Sequence, residues 1–355
     1  MSRRGLELKR KNVQGWAGAS LTLLLGSSIL LSGCGASAAT NKEGKAEGGL
    51  EVKELRYQGS VGSVTFPELA EDLGYLAPLK LKFIGNTISG PQDIQATVTG
   101  DTDFGGAFNG AIVKLIAAKA PIKAVIGYYG VDDNTWTGYY VLDDSPIKTA
   151  RDLIGKRIAV NTLGAHHEFV IKEYLHRAGL TPDEIKQVTL VVVPPVTSEQ
   201  TLRANQIDAA ALGGVLRDKA LERGGIHPLF TDQELFGNFS AGSYVLTDKF
   251  IEHNPNAARK FVEATAKAIE WARTTPRDQV VSRYEQIIEK RGRKEDTSSV
   301  KLWKSTGVAG KGGLISDKEF DTWIQWLVDE GELKKGDYKA ADLYTNAFNP
   351  YLNDK

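Results

Sequence analysis

From Val52 onward the chain alternates short β-rich runs with amphipathic stretches, a pattern that restricts it to an α/β architecture with mainly parallel sheets. The expected strands are 54–58, 79–84, 102–105, 124–129, 139–142, 157–161, 187–193, 209–212 and 244–247, with helices between most of them. A helix carrying Phe169, Ile171, Tyr174 and Leu175 should stop at Ala178-Gly179, where glycine suits the C-terminal cap. Asn254-Pro255 opens a long helix through Trp271, and the remainder reads as helical to the end, with Trp323, Trp326 and Leu327 spaced for one buried face. Two segments look alike, Gly138-Tyr-Tyr-Val-Leu-Asp-Asp144 and Gly242-Ser-Tyr-Val-Leu-Thr-Asp248. In a one-domain reading they are simply two similar strands. In the other reading they are crossing strands between two lobes, with 52–142 plus 243–355 forming lobe 1 and 143–242 forming lobe 2, each of ordinary domain size.

Sulfur is nearly absent from the 355 residues: Cys34 is the one cysteine and Met1 the one methionine. A single thiol excludes an internal disulfide, a cysteine-based metal site and a CxxC redox pair. The balance of 44 basic and 44 acidic residues argues against a nucleic-acid partner. Residues 1–11 are basic, residues 12–41 carry no charge, and the apolar core from Trp16 to Leu31 is short and interrupted by Gly26-Ser27-Ser28. That is the layout of an export signal rather than a membrane-spanning helix. Its end, Leu31-Ser32-Gly33-Cys34, resembles the bacterial lipobox, which implies cleavage after residue 33 and a diacylglycerol and acyl (palmitate-type) anchor on Cys34. Arg3-Arg4 lacks the rest of a twin-arginine signal. The expected organisation is a signal peptide at 1–33, a small, polar, flexible tether at 34–51, and then the two lobes. Loss of the leader leaves 39 basic and 43 acidic residues, so the body is mildly acidic.

Three stretches carry a resemblance. Pro91-Gln-Asp-Ile-Gln-Ala followed by Gly100-Asp-Thr-Asp-Phe-Gly105, Asp152-Leu-Ile-Gly-Lys-Arg-Ile-Ala-Val160 followed by Leu163-Gly-Ala-His166, and Leu202-Arg-Ala-Asn-Gln-Ile-Asp-Ala-Ala210 together resemble the solute-binding proteins for nitrate, taurine and alkanesulfonates. The resemblance covers residues 52 to about 275. It implies a two-lobed α/β periplasmic-binding-protein fold of the second type, a two-strand hinge, a ligand cleft between the lobes, and delivery to the membrane subunits of an ATP-driven (ABC) importer. Elementary physics points to the same place, because ligands of open α/β sheets bind beyond the carboxyl ends of strands, where helix N-termini favour anions.

Four strand-to-helix junctions are therefore the candidate site. The first supplies Ser60, Gly62 and Ser63; Asn86 follows the second strand; the next supplies Phe108 and Asn109. In the second lobe Thr162 and His166 open one helix, and Gly214 and Arg217 open another. Trp136, just before the first crossing strand, is expected as an apolar wall at the hinge. His166 and His167 point about 100° apart on a helix, so one at most should face the cleft, and His166 is preferred. Relatives carry a bulky or acidic residue where this chain has Gly213-Gly214-Val215-Leu216, so the floor there should be roomier, and Arg217 is placed to pair with a sulfonate or carboxylate.

No metal or cofactor is expected, since the histidine spacings fit no metal motif. Enzymes share the fold, among them a thiamine-pyrimidine synthase and a sulfinate desulfinase; the latter needs a cysteine nucleophile that the body lacks, and the export signal argues against the former. The expected function is capture, by a monomer tethered outside the cytoplasm, of a small anionic organosulfur compound such as a sulfonate, with nitrate or a thiamine pyrimidine precursor as the alternative ligand. The scarcity of sulfur is the clue to the cargo: a chain without Met or a free thiol suits synthesis in bulk when sulfur is scarce, although heat adaptation and oxidant exposure also thin out these residues.

Overall fold

The computed structural model of the protein describes residues 49–354. The leader, Cys34 and most of the tether lie outside these residues.

Ten strands and twelve α-helices follow one another among the described residues. The first half contains β1 (Glu54–Gly59), α1 (Phe66–Asp72), β2 (Lys80–Asn86), α2 (Gly90–Thr99), β3 (Gly105–Phe108), α3 (Asn109–Ala117), β4 (Ile122–Val131) and β5 (Thr137–Leu142). Next come β6 (Arg157–Val160), α4 (His166–Arg177), α5 (Pro182–Ile185), β7 (Thr189–Val192), α6 (Pro195–Arg203), β8 (Ala209–Gly213), α7 (Gly214–Glu222), β9 (Ile226–Thr231) and α8 (Asp232–Phe236). The chain ends with β10 (Phe239–Thr247), α9 (Asp248–His253), α10 (Pro255–Thr274), α11 (Arg277–Lys290) and α12 (Lys318–Asp329). Local chemistry sets several of these boundaries. Thr65 and Glu68 close a reciprocal capping box at the start of α1, and Thr181–Glu184 and Thr231–Glu234 do the same for α5 and α8. Pro255 occupies the first turn of α10, where its missing N–H is harmless.

The strands form a parallel β1-β2 pair, a three-stranded sheet β3-β10-β4, and a five-stranded sheet β7-β6-β8-β5-β9. The two look-alike segments hold equivalent places. Each is an interior strand running antiparallel to both neighbours, β10 between β3 and β4, and β5 between β8 and β9. Their alternating side chains feed two separate cores each, as a pleated strand must. Val141 and Tyr139 face the cluster under α4, while Tyr140 faces the one under α6 and α7. In β10, Tyr244 and Leu246 join the core of α1 and α10, while Ala241 and Val245 join that of α3 and α12.

This pairing corrects three expectations. β5 belongs entirely to the five-stranded sheet, so the chain changes sheet within 132–136 on the way out and 232–238 on the way back, not at 142/143 and 242/243. The sheets are also less parallel than expected, because β5 and β10 run against their partners. Finally, the C-terminal region is not continuously helical: residues 291–317 and 330–354 are loops and single 3₁₀ turns. Gly307, Gly312 and Gly313 have φ of 63°, 55° and 73°, which a right-handed helix cannot accommodate.

Candidate functional site

The loop after β1 turns sharply at Gly62, whose φ of 69° disfavours any side chain and where a Cβ would press to 3.2 Å from the Asp296 carbonyl oxygen. The Gly62 N–H donates to Glu295 Oε2 at 2.7 Å, and Arg291 Nη1 donates to the Ser63 carbonyl at 2.9 Å. Ser60 Oγ reaches the Thr87 carbonyl at 3.3 Å and so ties this loop to the one after β2. Residues 291–295 thus brace the first junction from behind.

Across from it, α7 begins at Gly214, with φ of 51°, immediately after β8. A cavity of about 250 Å³ lies between these two junctions. Gly62, Ser63 and Val64 line it from the first lobe, Gly214, Val215 and Arg217 from the second, and Asn134 and Thr135 from the first crossing. Its remaining walls are Asp218, Tyr284 and residues of the segment Ser299–Ser305. The space therefore sits at the carboxyl ends of β1 and β8, where open α/β sheets receive ligands. A larger depression of about 650 Å³, beside Lys114, Lys119 and Tyr338, lies far from these strand ends and receives none of the four junction loops.

Gly62, Ser63, Gly214 and Arg217 thus share one cavity. Arg217, however, is not a free anion ligand. Its side chain is 1% exposed, its Nε and Nη2 both donate to Asp218 Oδ1, and Nη1 donates to the Trp136 carbonyl. The guanidinium also lies 3.7 Å from the Trp136 ring centroid, so Trp136 is the platform under Arg217 rather than a wall of the cavity. Burial pushes the Asp218 carboxyl upward, but its bonds with Lys304 and Arg217 outweigh that and hold it below the usual carboxylate range.

The remaining expected residues fall elsewhere. Thr162 Oγ1 meets Ser89 Oγ at 3.4 Å, a contact between lobes at the cleft edge, and Asn86 is exposed at the end of β2. Asn109 is fully buried: Ser243 Oγ donates to its Oδ1 at 2.8 Å, and its Nδ2 donates to the Ser240 carbonyl at 3.3 Å. Both ends of the amide are engaged with β10, so Asn109 holds α3 to the sheet and faces no ligand. Phe108 is 2% exposed and stacks on His166 with centroids 5.0 Å apart and planes 16° apart. Phe169 and Trp323 close around the same ring. This is a sealed aromatic junction between the lobes, not a wall of the cavity.

Two features of that junction had no signal in the sequence. His166 Nε2 lies 3.2 Å from Oδ2 of the fully buried Asp232, with neither atom aligned for a hydrogen bond, while Asp232 Oδ1 accepts the Thr137 N–H at 2.9 Å. Asp232 thereby ties the two crossings together at their second-lobe ends. His167 is half-buried, with its Nδ1 buried and unpartnered; desolvation, reinforced by His166, lowers its pKa to about 3, so it is neutral.

Three comparisons fit this geometry. A 4-amino-5-hydroxymethyl-2-methylpyrimidine phosphate synthase of Candida albicans is 28% identical over 59% of this chain and 63% of its own. The structure of an alkanesulfonate-binding protein from Xanthomonas axonopodis pv. citri, bound to MOPS, superposes with a TM-score of 0.63 at 18% identity, covering 83% of this chain and 98% of its own. The periplasmic nitrate-binding protein of Synechocystis PCC 6803 superposes with a TM-score of 0.63 at 14% identity, covering 84% and 88%. The fold is that of the periplasmic binding proteins, two lobes joined by two crossings. The NMT1/THI5-like profile matches residues 68–279, more than half of the sequence, and the chain belongs to that family.

Proposed function

We propose that this protein is the extracytoplasmic solute-binding subunit of an ABC importer, which captures a small anionic organosulfur compound in the cavity between its lobes and passes it to the membrane subunits. The observation that carries the reading is the 250 Å³ cavity at the carboxyl ends of β1 and β8, lined by both lobes and by a crossing segment. A ligand bound there touches both lobes only when they are closed, and it stabilises closure by its differential affinity for that state. Gly62 and Ser63 of the first lobe and Gly214 of the second stand on its wall. Support for the sulfur class comes from the near absence of Met and Cys and from the relative that binds an alkanesulfonate. The lipobox-like Leu31–Cys34 supports a lipid anchor on Cys34 and a location outside the cytoplasm, with the protein acting as a monomer.

The C. albicans synthase keeps an enzymatic reading in play. Against it stands the pairing of the His166 and Asp232 side chains inside the sealed junction, away from the cavity.

A thermal-shift screen of the purified protein with sulfonates, nitrate, carboxylates and pyrimidine precursors tests the reading, since a ligand bound only by the folded state raises the melting temperature. Sulfonates are expected to stabilise the protein. Tight binding of nitrate or a pyrimidine with no response to sulfonates overturns the ligand class, and product formation overturns the binder. Replacement of Cys34 by Ser is expected to move the protein from the membrane to the soluble fraction.

A further inference from the structure

The family match ends at residue 279, but the cavity does not. Beyond α11 the chain is fastened to the first lobe by two arginines. Arg291 donates to the Ser63 carbonyl at 2.9 Å and to Glu68 Oε1 at 3.1 Å, and Arg293 packs its guanidinium 3.3 Å from the Phe83 ring centroid while donating to the Tyr57 hydroxyl at 3.1 Å. The chain then runs along the cavity from Ser299 to Ser305 and is fastened again at its far end. Ser305 Oγ donates to Asp132 Oδ1 at 2.9 Å and lies 2.8 Å from Thr135 Oγ1, at the first crossing. Lys304 Nζ reaches Asp218 Oδ2 of the second lobe at 2.8 Å. The segment is therefore a strap, held at both ends and touching both lobes.

The middle of what it turns toward the cavity is apolar, Val300, Leu302 and Trp303 between Ser299 and Lys304-Ser305, accompanied on the lining by Tyr284, Val64 and Val215. The charged residues on the lining are Arg217, Asp218 and Lys304, which leaves one net positive charge at the Lys304 end. Arg217 is 1% exposed and three of its N–H groups donate to Asp218 and the Trp136 carbonyl, whereas Lys304 is 41% exposed, so Lys304 is the cation that can turn to a new partner. A volume of 250 Å³ corresponds to about eight water molecules at ≈ 30 Å³ each. An inorganic oxyanion would fill a fraction of it and leave the apolar wall uncovered, whereas an organic anion with a compact hydrocarbon or aromatic body would cover that wall.

Resting on the reading of this cavity as the ligand site, we propose that the strap Ser299–Ser305 is its specificity wall, selecting organic anions whose apolar body packs on Leu302 and Trp303 and whose charged head lies at Lys304.

The test is calorimetric titration of the full-length protein, and of its Trp303→Ala, Trp303→Phe, Leu302→Ala and Lys304→Gln variants, with nitrate, methanesulfonate, hexanesulfonate, benzenesulfonate and benzoate. Far-UV spectra of each variant check folding. In the unaltered protein, affinity is expected to rise at least tenfold from nitrate and methanesulfonate to the larger sulfonates. Trp303→Ala and Leu302→Ala should each erase most of that gain while leaving methanesulfonate within about twofold, and Trp303→Phe should keep most of it. Lys304→Gln should weaken every anion by a similar factor. Equal affinity for nitrate and the larger anions, or an undiminished gain in Trp303→Ala and Leu302→Ala, overturns the wall while leaving capture intact. Failure of all five probes to bind overturns the capture reading and the wall with it.

Discussion

Two of the places where the lobes meet have opposite character. Around Phe108 they are sealed: His166, Phe169 and Trp323 pack on one ring with centroid distances of 5.0, 5.2 and 4.6 Å, and the buried Asp232 ties the ends of both crossings. Between Gly62 and Gly214 they leave a cavity of about 250 Å³, bridged at its rim by the ion pair Lys304–Asp218. Close-packed aromatic contacts resist separation, whereas a partly exposed ion pair contributes about 0–1 kcal/mol. The same two bodies are thus pinned at one point and held lightly at another, which is the arrangement a capturing cleft requires.

The comparison breaks first at Phe108. Truncation to Ala removes the ring at the centre of the sealed side and should destabilise the protein by about 3–5 kcal/mol, measured by urea unfolding; a loss under about 1 kcal/mol would mean the junction is not close-packed. Asn109→Ala should cost about 1–3 kcal/mol, because it leaves the Ser243 hydroxyl and the Ser240 carbonyl without their partner inside the protein. Unchanged stability with weakened ligand binding would instead return Asn109 to the cleft.

The pH dependence sharpens the sealed side further. His167 has a folded pKa of about 3 against about 6.5 when unfolded, so the unfolded chain binds the extra proton as pH falls. Its contribution is fully present above about pH 6.5 and is lost toward pH 3, at a limiting slope of about 1.4 kcal/mol per pH unit. Asp93 works in the other direction, since burial raises its carboxyl to about 7 and its charging costs stability as pH rises from about 4 to 7. The diagnostic is therefore the difference between variants: His167→Gln should flatten the acid limb of a melting-temperature profile relative to the parent. Identical limbs would show that His167 is not held neutral in the interior.

The smallest effects belong to the cavity side. Lys304→Gln and Ser63→Ala should each change stability by less than about 1 kcal/mol, while their effect on ligand affinity is larger than that on folding. A large loss of stability in either would mean that the rim, like the hinge, holds the lobes shut without a ligand.

How far the sequence was legible follows the range of the interactions involved. The alternation of strands and helices is local, and most strands lie within a few residues of their expected places. Strand β9 was overlooked because Pro228 interrupts its apolar run, and it proves to be an edge strand, where a proline is tolerated. β3 lies at 105–108 rather than 102–105, since Gly105 and Gly106 mask a strand whose small residues are demanded by neighbours: a Cβ on Gly106 would meet the Tyr128 ring at 2.8 Å. Two of the four junctions expected to form the site, at 59–63 and 213–217, line the cavity, because turn chemistry is local too. What stayed hidden was the occupation of each side chain. Arg217 is neutralised by its neighbour and capped by a carbonyl 81 residues away, and Asn109 is held from β10, more than 130 residues on. No spacing reveals such partners. The strap has no sequence signal for the same reason, although the glycines that follow it at 307, 310, 312 and 313 speak against a helix.

Trp136 and Trp303 give the cleft an optical property. One indole is overlaid by a buried guanidinium beside the cavity, the other forms part of its wall, and Trp271, Trp323 and Trp326 pack in the cores of the first lobe. Emission from the first pair therefore depends on what fills the space and on where Arg217 and Lys304 sit, while the other three supply a steady background. Unlabelled protein carries its own reporter of occupancy, readable on the timescale of mixing and without any reaction to follow.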